Sequence, residues 1–191
     1  MNYRFGVYGD SIAFGYGNNN HSWFDELYFA NEALKQAQNG EKIGDVLNKI
    51  KQDNNHYDTL FFAVGINDLL STSPQNNQIP IPELISKYKD ILEIAQNKSS
   101  KIVVQSVLPA REELFPNQAW LDEDKWAFNS DIKLFNQKLA ELCFELKVGY
   151  LEAYSEFCAK NLAELYIDAV HLNELGQGEL ARIYRKIHYR V

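Results

Sequence analysis

Short, continuous runs of apolar residues recur along the chain, separated by longer segments in which apolar positions are spaced differently. The runs at residues 3–8, 59–64 and 101–106 are rich in aromatic or β-branched residues, and glycine or proline follows each of them closely. Such runs predict buried β-strands. Residues 148–151 predict a short further strand, and residues 33–37 fit either a strand or a helix.

The segments between these runs have apolar residues every three or four positions, which is the spacing of one face of an α-helix. Pro82 suits the first turn of one such helix, and Asn173 suits the capping position of the last. The predicted helices include residues 43–50, 84–95, 132–146 and 174–187. Because strands and amphipathic helices alternate, we predict a parallel sheet covered by helices on both faces, in a three-layer α/β/α fold.

Two predicted loops are long for such a fold. They comprise residues 69–80 and 108–129, and each follows a predicted strand. The carboxyl ends of parallel strands lie along one edge of the sheet, where open α/β folds bind their ligands. We therefore expect both loops to border a binding crevice at that edge.

Composition narrows the possible functions. The 191 residues, of which 46% are hydrophobic and 24% charged, fit a single domain over residues 1–191. The net charge of −7 and the lack of a Lys/Arg run argue against nucleic-acid binding, because phosphate backbones need a basic surface. The sequence contains neither a long apolar stretch that predicts a membrane span nor the pattern of a signal peptide. We therefore expect a cytoplasmic protein without integral membrane association.

Ser11 follows the first predicted strand, in the motif Gly-Asp-Ser-Ile at residues 9–12. This position presents the serine at the carboxyl edge of the sheet, where its backbone N–H can help to bind an oxyanion. Asp168 and His171 form an Asp-x-x-His motif before the last predicted helix. That spacing lets the carboxylate accept the imidazole Nδ1–H, which leaves Nε2 as the base for a serine.

One further motif follows a predicted strand, and another lies just before a predicted helix. Asn67 lies in Gly-Ile-Asn-Asp at residues 65–68, directly after a strand, where its amide can donate a hydrogen bond into the same crevice. Gly44 ends the sequence Asn-Gly-Glu-Lys-Ile-Gly at residues 39–44. A glycine there leaves a backbone N–H open to close approach by a ligand. Gly40, in the same motif, is the alternative to Gly44.

Taken in their order along the chain, the four motifs resemble those of the SGNH (GDSL-type) hydrolase superfamily. The resemblance spans residues 9–171 and includes Gln-Ser-Val-Leu-Pro at residues 105–109, which is similar to the family's strand-to-loop segment before a substrate loop. Two departures are visible. Residue 12 is isoleucine where the family name has leucine, and the second motif lacks the small residue and the second glycine or serine that are more usual there.

The resemblance implies a flavodoxin-like fold and an esterase that works through an acyl-enzyme. In that mechanism Ser11 is the nucleophile, His171 its base and Asp168 the partner of His171. The backbone N–H groups of Ser11 and Gly44 and the side-chain amide of Asn67 form the implied oxyanion hole. The mechanism needs no metal or organic cofactor. The implied partner is a small-molecule ester, with a short acyl group such as acetyl expected first, and a lysophospholipid or a thioester as alternatives.

Four side chains near these motifs are candidate substrate contacts, namely Asp10, Arg111, Trp120 and Trp126. Asp10, like Asp68, has the alternative role of fixing a turn and its backbone N–H groups. Arg111 fits a surface ion pair equally well. The two tryptophans fit either an apolar wall over the crevice or a small core beneath the loop.

A function of a different class is a non-catalytic flavodoxin-like module that holds a phosphate at the helix N-terminus after Ser11. The loop at residues 9–12 lacks the several glycines of a phosphate cradle, and Asp10 would repel an anion. Such a module also gives no reason for an aspartate to precede His171 by three residues. The sequence therefore favours the esterase.

Overall fold

A five-stranded parallel sheet forms the centre of the protein, as seen in a computed structural model that describes residues 2–27, 30–73, 80–116 and 124–188. The strand order is β2-β1-β3-β4-β5, and every neighbouring pair is parallel. The strands are β1 (Asn2–Gly9), β2 (Ala33–Ala37), β3 (His56–Ala63), β4 (Ser99–Gln105) and β5 (Gly149–Leu151). This single-domain α/β architecture confirms the predicted fold class.

Helices connect the strands and cover both faces of the sheet. They are α1 (Ser11–Phe14), α2 (Ile43–Gln52), α3 (Ile81–Gln96), α4 (Asn129–Leu146), α5 (Tyr154–Cys158), α6 (Leu162–Leu165) and α7 (Glu174–His188). Short 3-10 turns occur at Ala30–Glu32, Ile66–Asp68 and Glu112–Leu114. Asn173 caps α7 as predicted, since its Oδ1 accepts the backbone N–H of Gly176 at 3.0 Å. Within the described ranges, no helix has the length and apolarity needed to cross a membrane.

Successive residues of the central strands belong to two different cores. Tyr8 and Phe62 pack with the apolar faces of α2, α3 and α4, whereas Val7 and Phe61 pack with α7 and the segment after α1. Side chains alternate across a strand, so a strand that is apolar at every position buries both of its faces. The continuous apolar runs of the sequence thus correspond to a middle layer between two layers of helices.

Residues 33–37, which the sequence left open between strand and helix, form the edge strand β2. The strand pairs with β1 alone, and most of its side chains are only half-buried. An edge strand of this kind needs few apolar residues, which explains its weak sequence pattern. The helices α5 and α6 were not predicted, because five and four residues are too few to establish a helical period.

The segment that continues from β4 is held in place by two asparagine side chains of α4. The Asn136 amide accepts the N–H of Val107 and donates to its carbonyl, both at 2.8 Å. The Asn129 amide makes the same pair of bonds with Ala110, both at 2.9 Å. Side-chain amides thereby supply the pairing that a neighbouring strand would otherwise give, and they fix a loop at the carboxyl edge of the sheet.

Candidate active site

Ser11 lies where β1 ends and α1 begins. The turn is tight, because a Cβ on Gly9 would lie 2.5 Å from the Cβ of Ala13 and 2.8 Å from the carbonyl oxygen of Ala63. Asp10 caps α1 by accepting the N–H of Ile12 at 3.0 Å. The local sequence therefore presents Ser11 as the first residue of a helix at the carboxyl edge of a central strand.

His171 connects Ser11 to Asp168 through both nitrogens of its ring. Its Nε2 lies 2.9 Å from Ser11 Oγ, and its Nδ1 lies 2.7 Å from Asp168 Oδ2. An ionised carboxylate only accepts hydrogen bonds, so Nδ1–H donates to Asp168 and Nε2 accepts the serine hydroxyl. Ser11 and His171 are each 4% exposed, which keeps this chain of hydrogen bonds largely out of water.

Asp168 is held as an anion by its own loop. Its Oδ1 accepts the backbone N–H groups of Val170 at 2.9 Å and His171 at 2.8 Å. Burial disfavours the charge, but the hydrogen bonds from the ring and backbone of His171 and from Val170 outweigh it and lower the pKa of Asp168. The carboxylate is therefore ionised wherever the protein is folded near neutral pH.

Two adjacent residues of the turn after β3 bind the segment that leads into α2. The side-chain amide of Asn67 donates one N–H to the carbonyl of Glu41 at 2.9 Å. The Asp68 carboxylate accepts the N–H of Ile43, the first residue of α2, also at 2.9 Å. An amide has two N–H bonds, so the bond to Glu41 uses only half of the donor capacity of Asn67.

Gly44 lies in the first turn of α2, where backbone N–H groups have no partner inside the helix. A Cβ at Gly44 would meet nothing within 4 Å, so close packing does not explain this glycine. Gly40, its alternative, has a φ of +76° and serves a turn before the helix. An added Cβ at Gly40 would also meet nothing within 4 Å, so the choice of Gly44 over Gly40 as the oxyanion donor stays a prediction.

Two carboxyl groups inside these motifs have raised pKa values, the buried Asp10 and the half-buried Asp68. Burial raises the pKa of Asp10 to about 7, although the backbone N–H groups of Ile12 and Gly65 partly oppose the change. Burial also raises the pKa of Asp68 to about 6, against the stabilising N–H of Ile43. Both groups face backbone N–H groups, as expected of carboxylates that fix turns.

A comparison with known protein families identifies the family of this chain. The sequence model of the GDSL-like Lipase/Acylhydrolase family matches residues 7–178. The chain belongs to this family. A comparison with curated proteins finds no match.

Solved structures of the same fold agree with that membership. A lipase/acylhydrolase from Enterococcus faecalis is 18% identical, with a TM-score of 0.71 over 98% of this chain and 96% of its own. The acetylxylan esterase Axe2 from Geobacillus stearothermophilus is 14% identical, with a TM-score of 0.70 over 96% and 93%. The acetyl xylan esterase AlAXEase is 17% identical, with a TM-score of 0.69 over 96% and 98%. At these identities the likeness concerns the fold.

The four candidate substrate contacts have different surroundings in this hydrolase-family member. Asp10 is 3% exposed and caps α1, which fits its alternative role of fixing the turn. Arg111 forms an ion pair with Glu113 at 2.8 Å, which fits the alternative proposed for it. Trp126 is half-buried, and Trp120 lies outside the described residues. Substrate contact stays a prediction for all four.

Trp126 also connects the two long loops predicted at this edge. Its backbone pairs with that of Ser71 through hydrogen bonds of 2.7 and 2.9 Å. Ser71 follows the turn that carries Asn67, and Trp126 lies in the segment that leads to α4. The two loops are therefore joined by this pair of backbone hydrogen bonds.

Sequence reasoning missed two residues beside Ser11 and His171. The Tyr16 ring lies against the His171 ring, with 4.2 Å between centroids and 35° between planes. Gln177 is buried on α7, where it donates to the carbonyl of Ile12 at 3.1 Å and accepts the N–H of Trp23 at 2.8 Å. No periodicity marks either residue, because both act on parts of the chain that only the fold brings near.

Proposed function

We propose that the protein is a serine ester hydrolase in which Ser11, His171 and Asp168 carry out acyl transfer. The observation that supports it is the continuous chain of hydrogen bonds from Ser11 Oγ through His171 to Asp168, at 2.9 and 2.7 Å. This is the geometry in which a histidine removes a serine proton during attack on a carbonyl.

In the first half of the reaction, Ser11 Oγ bonds to the ester carbonyl carbon while its proton moves to His171 Nε2. Asp168 stabilises the imidazolium that forms, because its charge lies 2.7 Å from Nδ1. When the carbon–oxygen bond to the alcohol breaks, the imidazolium returns the proton to the departing oxygen. Water then attacks the acyl-serine with His171 again as base, which releases the acid and restores Ser11.

The negative oxygen of each tetrahedral intermediate needs donors that are already in place. We assign this role to the backbone N–H groups of Ser11 and Gly44 and to the remaining N–H of the Asn67 amide. Each belongs to the first turn of a helix or to the turn after β3. The bonds of Asn67 to Glu41 and of Asp68 to Ile43 support this assignment, since they fix the two donor-bearing segments to each other.

The substrate we propose is a small-molecule ester with a short acyl chain such as acetyl. Two structural neighbours are acetylxylan esterases by name, which supports an acetyl ester as the first candidate. A phosphate-binding module is less well supported, because the Asp10 carboxylate already occupies the N-terminus of α1 and that helix has only four residues.

Hydrolysis of p-nitrophenyl acetate tests this proposal. We expect turnover by the wild type and its loss in Ser11→Ala, and an organophosphonate should add one mass increment to the wild type alone. Esters of increasing chain length and acetylated xylooligosaccharides, assayed in parallel, separate an acetylesterase from an enzyme for lipids. Equal rates for the wild type and Ser11→Ala would refute the proposed function.

A further inference from the structure

We propose that Tyr16 is a positioning residue that holds the plane of the His171 ring and stabilises its protonated form. This inference rests on the proposed esterase function and adds a residue to it. Tyr16 lies outside the motifs at residues 9–12, 39–44, 65–68 and 168–171 that indicated the active site.

The two hydrogen bonds of the His171 side chain hold its ring at the nitrogens. The bonds to Ser11 and Asp168 both lie along the edge of the ring, so neither of them contacts its faces. The Tyr16 ring covers one face of the imidazole at 4.2 Å. This contact opposes rotation of the ring out of its observed plane, and such a rotation would turn Nε2 away from Ser11 Oγ.

Hydrogen bonds connect the backbone of Tyr16 to Ser11 and to the loop that carries His171. Its N–H, two residues after the end of α1, donates to the carbonyl of Ser11 at 3.0 Å. The side-chain amide of Asn18 donates to the carbonyl of Tyr16 at 3.1 Å and to that of Leu172 at 2.8 Å. Leu172 follows His171 directly, so Asn18 connects the segment that carries the tyrosine to the loop that carries the histidine.

Gly15 makes this path possible. It has a φ of +95°, and a Cβ there would lie 2.6 to 2.7 Å from backbone atoms of Asn20 and His21. The chain therefore turns back directly after α1, which brings Tyr16 over the imidazole. The position of the ring is thus determined by the backbone, in addition to contact between the rings.

Tyr16 also has an electrostatic effect on the reaction. The face of an aromatic ring is the negative part of its quadrupole and attracts a cation. His171 becomes a cation each time it accepts the serine or water proton. Asp168 faces it along the Nδ1 edge, Ser11 along the Nε2 edge and Tyr16 across the ring. The aromatic face therefore stabilises the imidazolium from a direction that Asp168 does not reach.

The experiment compares Tyr16→Phe with Tyr16→Leu in steady-state hydrolysis of p-nitrophenyl acetate. Phenylalanine keeps the aromatic face, so we expect kcat close to that of the wild type. Leucine covers the imidazole without a π-face, so kcat should fall about three- to tenfold with little change in KM. The acid limb of the kcat/KM–pH profile should move to lower pH in Tyr16→Leu, because the ring loses its proton more readily.

Controls separate this role from a general loss of packing. Tyr150→Leu removes another half-buried tyrosine, on β5, three strands away from β1, and should leave kcat and the acid limb unchanged. Thermal unfolding verifies that each variant folds. If Tyr16→Leu does not fold, Asn18→Ala keeps both rings, releases the segment that carries Tyr16, and should lower kcat about two- to fivefold.

Three results would overturn the inference. In a folded Tyr16→Leu variant, an unchanged kcat with an unchanged acid limb would do so, as would an equal loss in Tyr16→Phe and Tyr16→Leu. If Asn18→Ala is used in place of Tyr16→Leu, a kcat and a pH profile equal to those of the wild type would also overturn the inference. Ser11→Ala, assayed alongside, detects failure of the esterase function itself, since hydrolysis would then not depend on Ser11.

Discussion

Asp68 accepts a hydrogen bond from the backbone N–H of Ile43, with 2.9 Å between oxygen and nitrogen. The preceding residue, Asn67, bonds to the carbonyl of Glu41 on the same stretch of chain. Two consecutive side chains thus fasten the turn after β3 to the beginning of α2. The distance between the proposed oxyanion donors, Asn67 and Gly44, depends on this pair of bonds.

Asp68→Ala should therefore reduce catalysis, although the Asp68 side chain acts by holding the proposed donors and not by contact with the substrate. We expect kcat to fall about 10- to 100-fold, because loss of a whole oxyanion donor costs about 10²–10³-fold and here the donors are displaced instead of removed. KM should change little. Asp68→Asn retains an acceptor for the Ile43 N–H and should lose less. Steady-state kinetics measures both, and equal activity in Asp68→Ala and the wild type would exclude this role.

Asp168→Asn tests the orientation of His171 more severely than a truncation does. The asparagine oxygen can still accept the N–H groups of Val170 and His171, which then directs its NH₂ group at Nδ1. An NH₂ group donates, so Nδ1 must accept and Nε2 carries the proton, which is the wrong tautomer for a base. We expect kcat to fall about 10⁴-fold in a variant that thermal unfolding shows to be folded. A loss below tenfold would contradict the proposed relay.

Asp10 should make stability depend on pH. Its pKa in the folded protein is about 7 because of burial, above the ordinary value of 3.8. A raised folded-state pKa means that the stabilising contribution is complete below about pH 4 and is lost as pH rises toward 7. Asp10→Asn keeps a capping oxygen and carries no charge, so this loss should disappear.

Urea unfolding at pH 4.5, 6 and 8 measures the effect of Asp10→Asn. The free energy of unfolding of the variant, relative to the wild type, should increase over that range by at most about 4 kcal/mol. Asp58→Asn provides a control, since Asp58 is an exposed residue of β3. A constant difference between Asp10→Asn and the wild type across the three pH values would show that Asp10 does not titrate as described.

Asn136→Ala should destabilise the fold. The substitution leaves the N–H and the carbonyl of Val107 buried without their partner, and each unsatisfied group costs about 1–3 kcal/mol. We expect the free energy of unfolding to fall by about 2–4 kcal/mol. Asn97→Ala is the matched control, because Asn97 is exposed and donates one bond to a helix carbonyl. Equal effects of the two substitutions would contradict the prediction.

The sequence predicted those parts of the fold and site that depend on local pattern. Strands β1, β3 and β4 are continuous apolar runs, and α2, α3, α4 and α7 have clear periodicity. Asp168 and His171 lie within one loop, so their spacing alone indicated that they could meet. Ser11 and Asn67 follow strands directly, and parallel strands bring such positions to the same edge of a sheet.

The remaining features depend on contacts between distant parts of the chain. Asn18 and Leu172 are 154 positions apart, as are Trp23 and Gln177. Asn129 and Asn136 resemble other polar positions of a helix until the segment after β4 lies beside them. A local sequence pattern does not show which distant residues will become neighbours in the fold. Arg111 and Asp10 were ambiguous for the same reason, because their surroundings decide between a substrate contact and an internal bond.

The separation of 160 positions between Ser11 and His171 also bears on when the proposed nucleophile can become reactive. During synthesis β1 and Ser11 leave the ribosome first, and strands β2 to β5 follow before the loop with the base. Until that loop docks, the serine is an ordinary weakly nucleophilic alcohol. In the proposed mechanism, the onset of catalysis therefore reports that the whole sheet has assembled, and a partly made chain should not cleave esters.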